Sequence, residues 1–193
     1  MGGRWYLFAI FYMPSIKLVA ALVSRAISGT WPRLGTEPIA IMFAALLVST
    51  WVQAGEEVGW RGYALPRMSE RFGLGPASIL LGIVWASWHL PLFYYFNGDT
   101  RGQSFVLYLL QVVAISVTMG WLYWKTRGSL LLVMLFHAAV NNLKDIVPSA
   151  QPGMKNPLSL NGSIVGWTTL ALLWIFAGLC LAQMRGVRHP YMD

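Results

Sequence analysis

The stretch that decides the fold reads Pro38-Ile-Ala-Ile-Met-Phe-Ala-Ala-Leu-Leu-Val-Ser-Thr-Trp-Val-Gln-Ala-Gly-Glu56-Glu57-Val-Gly-Trp-Arg61. A helix that crosses a membrane needs about 20 mostly apolar residues, and proline suits the first turn of a helix. The next strong helix breaker is Pro66, so the stretch predicts one helix from Pro38 to about Met68. Charged side chains then lie inside a membrane helix.

The composition of the whole chain is that of a membrane protein. Of its 193 residues, 56% are hydrophobic and only 11% are charged, against roughly 45–50% and about 25% in a soluble domain. The net charge of +7 suits loops that face anionic lipid better than it suits a nucleic-acid partner. The single cysteine, Cys180, excludes an internal disulfide and a multi-cysteine metal cluster.

Five further uncharged or nearly uncharged stretches are long enough to cross a bilayer. They are Trp5–Ser24, Pro76–Phe96, Gln103–Trp124, Gly128–Ile146 and Ser163–Met184. We therefore expect an all-α, polytopic membrane helix bundle with about six transmembrane helices, and a single membrane-embedded domain over residues 1–193. The first stretch is interpreted as a true span and not as a secretion signal, because apolar residues continue past Lys17.

Lysine and arginine residues in the connecting segments predict the orientation. One side collects Arg4, Arg67, Arg71, Lys125, Arg127, Arg185 and Arg188, and the other collects Arg25, Arg33, Arg101, Lys144 and Lys155. This distribution favours both termini in the cytoplasm. The longest connector, Val147 to Gly162, contains three prolines and is expected to form an irregular loop outside the lipid.

Ionisable side chains inside a span are candidates for function, because each costs about 2.5–3.5 kcal/mol near the helix centre. Glu57 and Arg61 are four residues apart and can form an ion pair on one helix face. Glu56 projects about 100° away from Glu57, so it is left to take up a proton. The alternative is an ordinary charged helix end at the water interface.

Two later spans carry the remaining candidates. His137 and Asn141 are four residues apart and share a helix face, whereas His89 could simply hydrogen-bond a neighbouring helix. At a rise of about 1.5 Å per residue, Glu56, His89, His137 and Asn141 lie roughly 14–20 Å from the predicted cytoplasmic ends of their helices. The four side chains are therefore predicted to lie at a similar depth in the bilayer. Lys17 is expected to extend its ammonium to the membrane interface.

This set of side chains is suited to hydrolysis by an activated water. A carboxylate or imidazole accepts the proton of the water, and an amide or imidazole donor stabilises the oxyanion. Glu56, His89 and His137 also match the ligand types of a catalytic zinc, although no His-Glu-x-x-His run is present. A zinc-dependent and a metal-free mechanism therefore both stay open. A serine nucleophile is disfavoured because no Gly-x-Ser-x-Gly occurs.

Three motifs in residues 38–146 together resemble those of the CPBP intramembrane proteases. The family includes the type II CAAX prenyl endopeptidases and bacterial relatives linked to bacteriocin processing or immunity. Its Glu-Glu-x-x-x-Arg motif appears as Glu56, Glu57 and Arg61, and its second motif as Trp85-Ala-Ser-Trp-His89, where the family usually has phenylalanine first. Its His-x-x-x-Asn motif appears as His137 and Asn141.

The resemblance implies an all-helical protease whose cavity opens toward the cytoplasm. Glu56 and His89 look like the pair that activates water, and His137 and Asn141 look like the oxyanion side. The resemblance gives Glu57, with Arg61, a supporting role or a direct one. It also implies a bacterial cell membrane and about two further N-terminal helices, which we expect this chain to lack.

The leading hypothesis is an intramembrane endopeptidase acting on a peptide or protein substrate at the bilayer, in CAAX-type or bacteriocin-related processing. One alternative is a non-catalytic peptide-binding or immunity protein that keeps the site. The other is a small proton-coupled transporter using Glu56, His89 and His137 as a relay. The oxyanion role open to Asn141 and the lack of a visible repeat favour the enzyme over the transporter.

Overall fold

The computed structural model describes residues 2–95, 100, 103–149 and 156–188, and this part of the chain is helical without strands. A 3₁₀ turn, Lys144–Ile146, follows the sixth helix. The helices are α1 Arg4–Ser28, α2 Ile39–Phe72, α3 Leu74–Trp88, α4 Leu92–Tyr95, α5 Phe105–Lys125, α6 Leu130–Leu143 and α7 Ile164–Gln183. The predicted all-α bundle is confirmed.

Five helical stretches in the described residues are long and apolar enough to cross a membrane: α1, α2, Leu74–Tyr94, α5 and α7. The remaining predicted span contains α6, which has 14 residues and is therefore about 21 Å long, shorter than a hydrocarbon core of about 30 Å. Most of α6 is buried, and it packs against α1, α2 and α5. It is the inner helix of the bundle.

The helix α2 continues past the predicted end at Met68 and stops at Gly73, whose φ of 83° disfavours other residues. Pro66 does not end it. The segment Trp60–Ala64 is a π-helical turn, and α-helical hydrogen bonding resumes at Leu65. Pro66 therefore occupies a first helical turn, where the missing N–H is tolerated.

The helix α3 is shorter than the predicted span. It ends at Trp88, a turn covers His89 to Pro91, and α4 follows; Phe96, the predicted end, lies outside the described residues. Pro91 accounts for the break, because it lacks an N–H and disfavours a helical residue before it. His89 consequently lies at the end of α3, where its ring can turn toward neighbouring helices.

The other boundaries agree with the sequence to within a few residues. The serines Ser104 and Ser163 cap α5 and α7 by accepting hydrogen bonds from backbone N–H groups. The described parts of the long connector, residues 147–149 and 156–162, contain only turns, bends and irregular chain. Arg101 and Lys155 lie outside the described residues, and the cytoplasmic placement of both termini stays a prediction.

Close contact between α3 and α5 fixes the second motif against the core. A Cβ atom at Gly82 would lie 2.8 Å from both Ser116 Cβ and Val113 Cα. Only glycine therefore fits at this crossing.

The outer surface of the bundle is apolar, since α2 exposes large apolar side chains such as Leu47, Val48 and Trp51.

We expect Gly82→Ala to lower the free energy of unfolding in detergent by about 1–3 kcal/mol, because the added methyl group overpacks against the backbone of α5. Gly178→Ala on α7 is the matched control, since nothing lies within 4 Å of its Cβ position. That control should be neutral or up to about 1 kcal/mol stabilising. Equal effects of the two substitutions would contradict the assigned crossing.

Candidate active site

The Glu57–Arg61 ion pair forms as the spacing predicts, and both side chains are fully buried. Arg61 Nη1 donates to both carboxylate oxygens of Glu57, at 2.8 and 3.0 Å, and Nη2 donates to Ser116 Oγ at 3.3 Å. Two charges in a dry interior are stable only while each compensates the other. The pair thus ties the π-helical turn of α2 to α5.

Glu57 has a second partner on another helix. The Nδ1 atom of His137 lies 2.8 Å from Glu57 Oε1. A carboxylate held by arginine can only accept, so Nδ1 carries the hydrogen and the lone pair of a neutral ring lies on Nε2. The sequence spacing predicted only Arg61 as a partner of Glu57, because a partner on another helix leaves no periodic signal in the sequence.

Trp85 connects the three motifs. Its indole Nε1 donates to Glu56 Oε2 at 2.8 Å. Its ring centroid lies 4.9 Å from that of His137 and 6.1 Å from that of His89, and the Arg61 guanidinium lies 4.5 Å from the ring. The sequence marked Trp85 only as a departure from phenylalanine, yet the indole N–H is what makes the bond to Glu56.

His89 is oriented by its own helix. Its Nδ1 lies 2.9 Å from the backbone carbonyl of Trp85, four residues earlier. A carbonyl only accepts, so Nδ1 carries the hydrogen and Nε2 of the neutral ring is a proton acceptor. The ring also lies 5.8 Å from that of Tyr108 on α5. Both histidines therefore have their Nδ1 atoms engaged, which leaves each Nε2 for a ligand.

A cavity of about 370 Å³ lies between the helices that carry these residues. His89, His137, Asn141, Trp85 and Lys17 are among the residues that line it. Within the described chain, Glu56 and Glu57 are not in the lining: Glu57 contacts His137, and the half-buried Glu56 contacts Trp85. The structure thus brings the two histidines and the amide to one cavity, with each carboxylate bonded to a residue that lines it.

The three residues expected to ligate a zinc ion, if one is bound, do not form a ligand group. Across the residues that the structure describes, no three His, Cys, Asp or Glu side chains are arranged to hold a metal ion. Only the Nδ1 atoms of the two histidines are hydrogen-bonded, so their Nε2 atoms could still bind a metal, but Glu56 bonds the indole of Trp85 and completes no ligand group with them in the described chain. This arrangement does not fit a zinc site.

Lys17 departs from the sequence expectation. Its side chain is 4% exposed, so the prediction that it extends its ammonium to the membrane interface is wrong. Instead it points into the cavity and donates to Ser149 Oγ. Its position in a helix gave no signal of this, because the burial depends on α6 and on the connector that follows it.

Fold and site together define a class of protein: a helical membrane bundle that encloses a polar cavity with side chains suited to hydrolysis. The profile of the family described as type II CAAX prenyl endopeptidase Rce1-like matches residues 35–143, more than half of the chain. The chain belongs to this family. The match includes all three motifs and confirms the resemblance on which they were grouped.

A curated relative agrees with the family. The CAAX prenyl protease 2 of Methanococcus maripaludis is 29% identical over 153 residues, which cover 72% of this chain and 55% of the relative. The chain therefore spans about half the length of the curated relative that it matches. Lys17 lies outside residues 35–143, the range of the family profile.

We expect Arg61→Met to lower the free energy of unfolding by about 3–5 kcal/mol, because it leaves the buried Glu57 carboxylate without its cation. Adding Glu57→Gln should restore part of the loss, since no unpaired charge then stays buried. Chemical unfolding in detergent measures both variants. Arg67→Met, at an exposed position, is the control and should cost less than about 1 kcal/mol. A double variant no more stable than Arg61→Met would contradict the buried pair.

Proposed function

We propose that this chain carries the hydrolytic site of an intramembrane endopeptidase, which cleaves a peptide bond of a peptide or protein substrate at the membrane. The observation that supports it most is the set of contacts through Trp85 and Glu57, which joins all three motifs at one cavity. The relative's name indicates a CAAX-type substrate for that relative. By this likeness we propose the same class here, with bacteriocin-related processing as the other candidate.

Water activation is assigned to Glu56 and His89. His89 lines the cavity, and its neutral ring has the lone pair on Nε2. Trp85 holds one oxygen of Glu56 and leaves the other able to accept a proton. As the water oxygen bonds to the scissile carbonyl carbon, its proton passes to this pair and then to the departing amine nitrogen. The C–N bond breaks, and the base is restored.

The oxyanion side is assigned to His137 and Asn141. They lie one helical turn apart on α6, and both line the cavity. The Glu57 carboxylate accepts from Nδ1 and fixes the His137 ring; when the ring carries a proton on both nitrogens, Nε2 donates to the carbonyl oxygen as that oxygen gains negative charge. The Asn141 amide supplies a neutral donor.

Glu57 and Arg61 position these groups in this proposal. Arg61 holds Glu57 as a carboxylate, and Glu57 fixes the ring orientation and hydrogen placement of His137. The contact of the Arg61 guanidinium with Trp85 extends the same support to the indole that binds Glu56. One buried ion pair thereby orients both sides of the site.

Glu56→Gln should reduce cleavage of a peptide library by purified protein in liposomes at least about 100-fold, because the amide cannot accept the proton. Glu70→Gln, on the exposed face of the same helix, is the matched control and should keep full activity. Thermal unfolding should be unchanged in both variants. Cleavage retained in Glu56→Gln would reject the assigned base.

Measurements of peptide binding and of ion flux distinguish the endopeptidase from the two alternative functions. A wild-type protein that binds peptides without cleaving them would support the peptide-binding or immunity function. A pH-driven ion flux in liposomes that is lost in Glu56→Gln would support the transporter. Either result would overturn the endopeptidase proposal, whereas cleavage products with a defined cut position support it.

Metal dependence is tested separately. Because no group of three ligands forms in the described part of the chain, we expect purified active protein to contain zinc well below one equivalent. Incubation with a chelator should leave the cleavage rate unchanged. Stoichiometric zinc by elemental analysis, with activity lost on chelation and restored by zinc, would contradict the metal-free assignment.

A further inference from the structure

The helix α1 brings a buried cation into the candidate active-site cavity. Only 4% of Lys17 is exposed, and it lines the same cavity as His89, His137 and Asn141. The helix packs directly against α6, which carries the last two of these. A buried ammonium is stable only with compensating partners, so its retention in a membrane helix indicates a ligand or a function.

The partner of Lys17 in the described chain is neutral. Its ammonium donates to the hydroxyl of Ser149, and no described carboxylate lies within ion-pair distance of it. The one carboxylate among the described lining residues, Asp145, pairs with Lys144 at 3.1 Å. An ammonium has three hydrogens to donate, so Lys17 can still bind an anion.

The other charged groups around the cavity leave Lys17 open to an anion. Asp145 pairs with the second lining lysine, Lys144, the Glu57 carboxylate is compensated by Arg61, and the Glu56 carboxylate bonds the indole of Trp85 outside the lining. A peptide offers two kinds of anion with the same chemistry: its terminal α-carboxylate and an acidic side chain. The terminal carboxylate is available in a substrate of any sequence, and a substrate cut near its end would place it close to the site.

We propose that Lys17, oriented by Ser149, binds the C-terminal carboxylate of the peptide substrate. This inference rests on the proposed endopeptidase function and adds to it the direction in which the substrate chain binds. With the terminus held by α1 and the scissile bond held by α3 and α6, the separation of the two anchors sets how many residues are released. The enzyme would then measure from the end of the chain.

The test compares two peptides that differ only at the terminus. Each carries a farnesylated cysteine followed by two aliphatic residues and a final residue, with either a free carboxylate or a carboxamide. Wild-type protein should cleave the free acid with a kcat/KM on the order of 10- to 100-fold above that of the amide, as expected for a charged hydrogen bond. An amidated peptide with an acidic final residue tests the side-chain source.

Lys17→Met should lose the preference, so that its kcat/KM values for the acid and for the amide become similar. Lys17→Arg keeps the charge and should retain most of the preference. Arg67→Met removes an exposed cation that is not among the cavity-lining residues, and it should discriminate as the wild type does. A preference that survives in Lys17→Met would overturn the inference while leaving the endopeptidase function intact.

Extending the peptide gives a measurement that needs no variant. One extra C-terminal residue should move the cut by one residue, so that the released fragment keeps its length. A cut that stays at a fixed distance from the farnesylated cysteine would overturn the anchor. Failure of folded wild-type protein to cleave any of the peptides would instead reject the proposed function, and the two failures are thereby distinguished.

Discussion

A carboxylate without water must find its donors inside the protein, and Glu57 finds them on two helices. Arg61 supplies two hydrogen bonds from the same helix, and His137 supplies a third from α6. The charges of an unpaired carboxylate or guanidinium would be costly at this position. The relative rotation of α2 and α6 is therefore constrained by polar bonds as well as by packing.

The rest of the site follows from that constraint. Fixing Arg61 fixes the face of Trp85 on which it lies, and Trp85 in turn binds Glu56 and contacts both imidazoles. The crossing at Gly82 brings α3 close enough to α5 for Ser116 to bond both Arg61 and the backbone of Ser78. Polar order and close helix packing thus support each other around the cavity.

The spacing of residues along the chain predicted the features that depend on contacts within one helix. The Glu57–Arg61 pair follows from a separation of four residues, and the bounds of α5 and α7 lie within two residues of the predicted ones. Contacts between helices were beyond such reasoning. The bond of Glu57 to His137 and the burial of Lys17 depend on which helices become neighbours, and no alternation within one segment encodes that.

Two boundary errors had a different physical origin. The apolar run from Pro76 to Phe96 predicts one uninterrupted span, although Pro91 ends α3, and Pro66 predicts a stop, although a π-helical turn accommodates it. Hydrophobicity predicts whether a segment lies in lipid or in water. It does not predict where a helix is interrupted, which at a proline depends on one missing backbone N–H. The shorter α3 matters for chemistry because it places His89 at a helix end.

The π-helical turn at Trp60–Ala64 holds one residue more than an α-helical turn would need. Removing that residue would rotate everything after it by about 100° about the helix axis. Leu65 and Ser69, now buried, would swing out of the bundle while Glu57 stayed in place. The extra residue thus lets one continuous helix present Glu57 to α6 and the residues after Ala64 to α3.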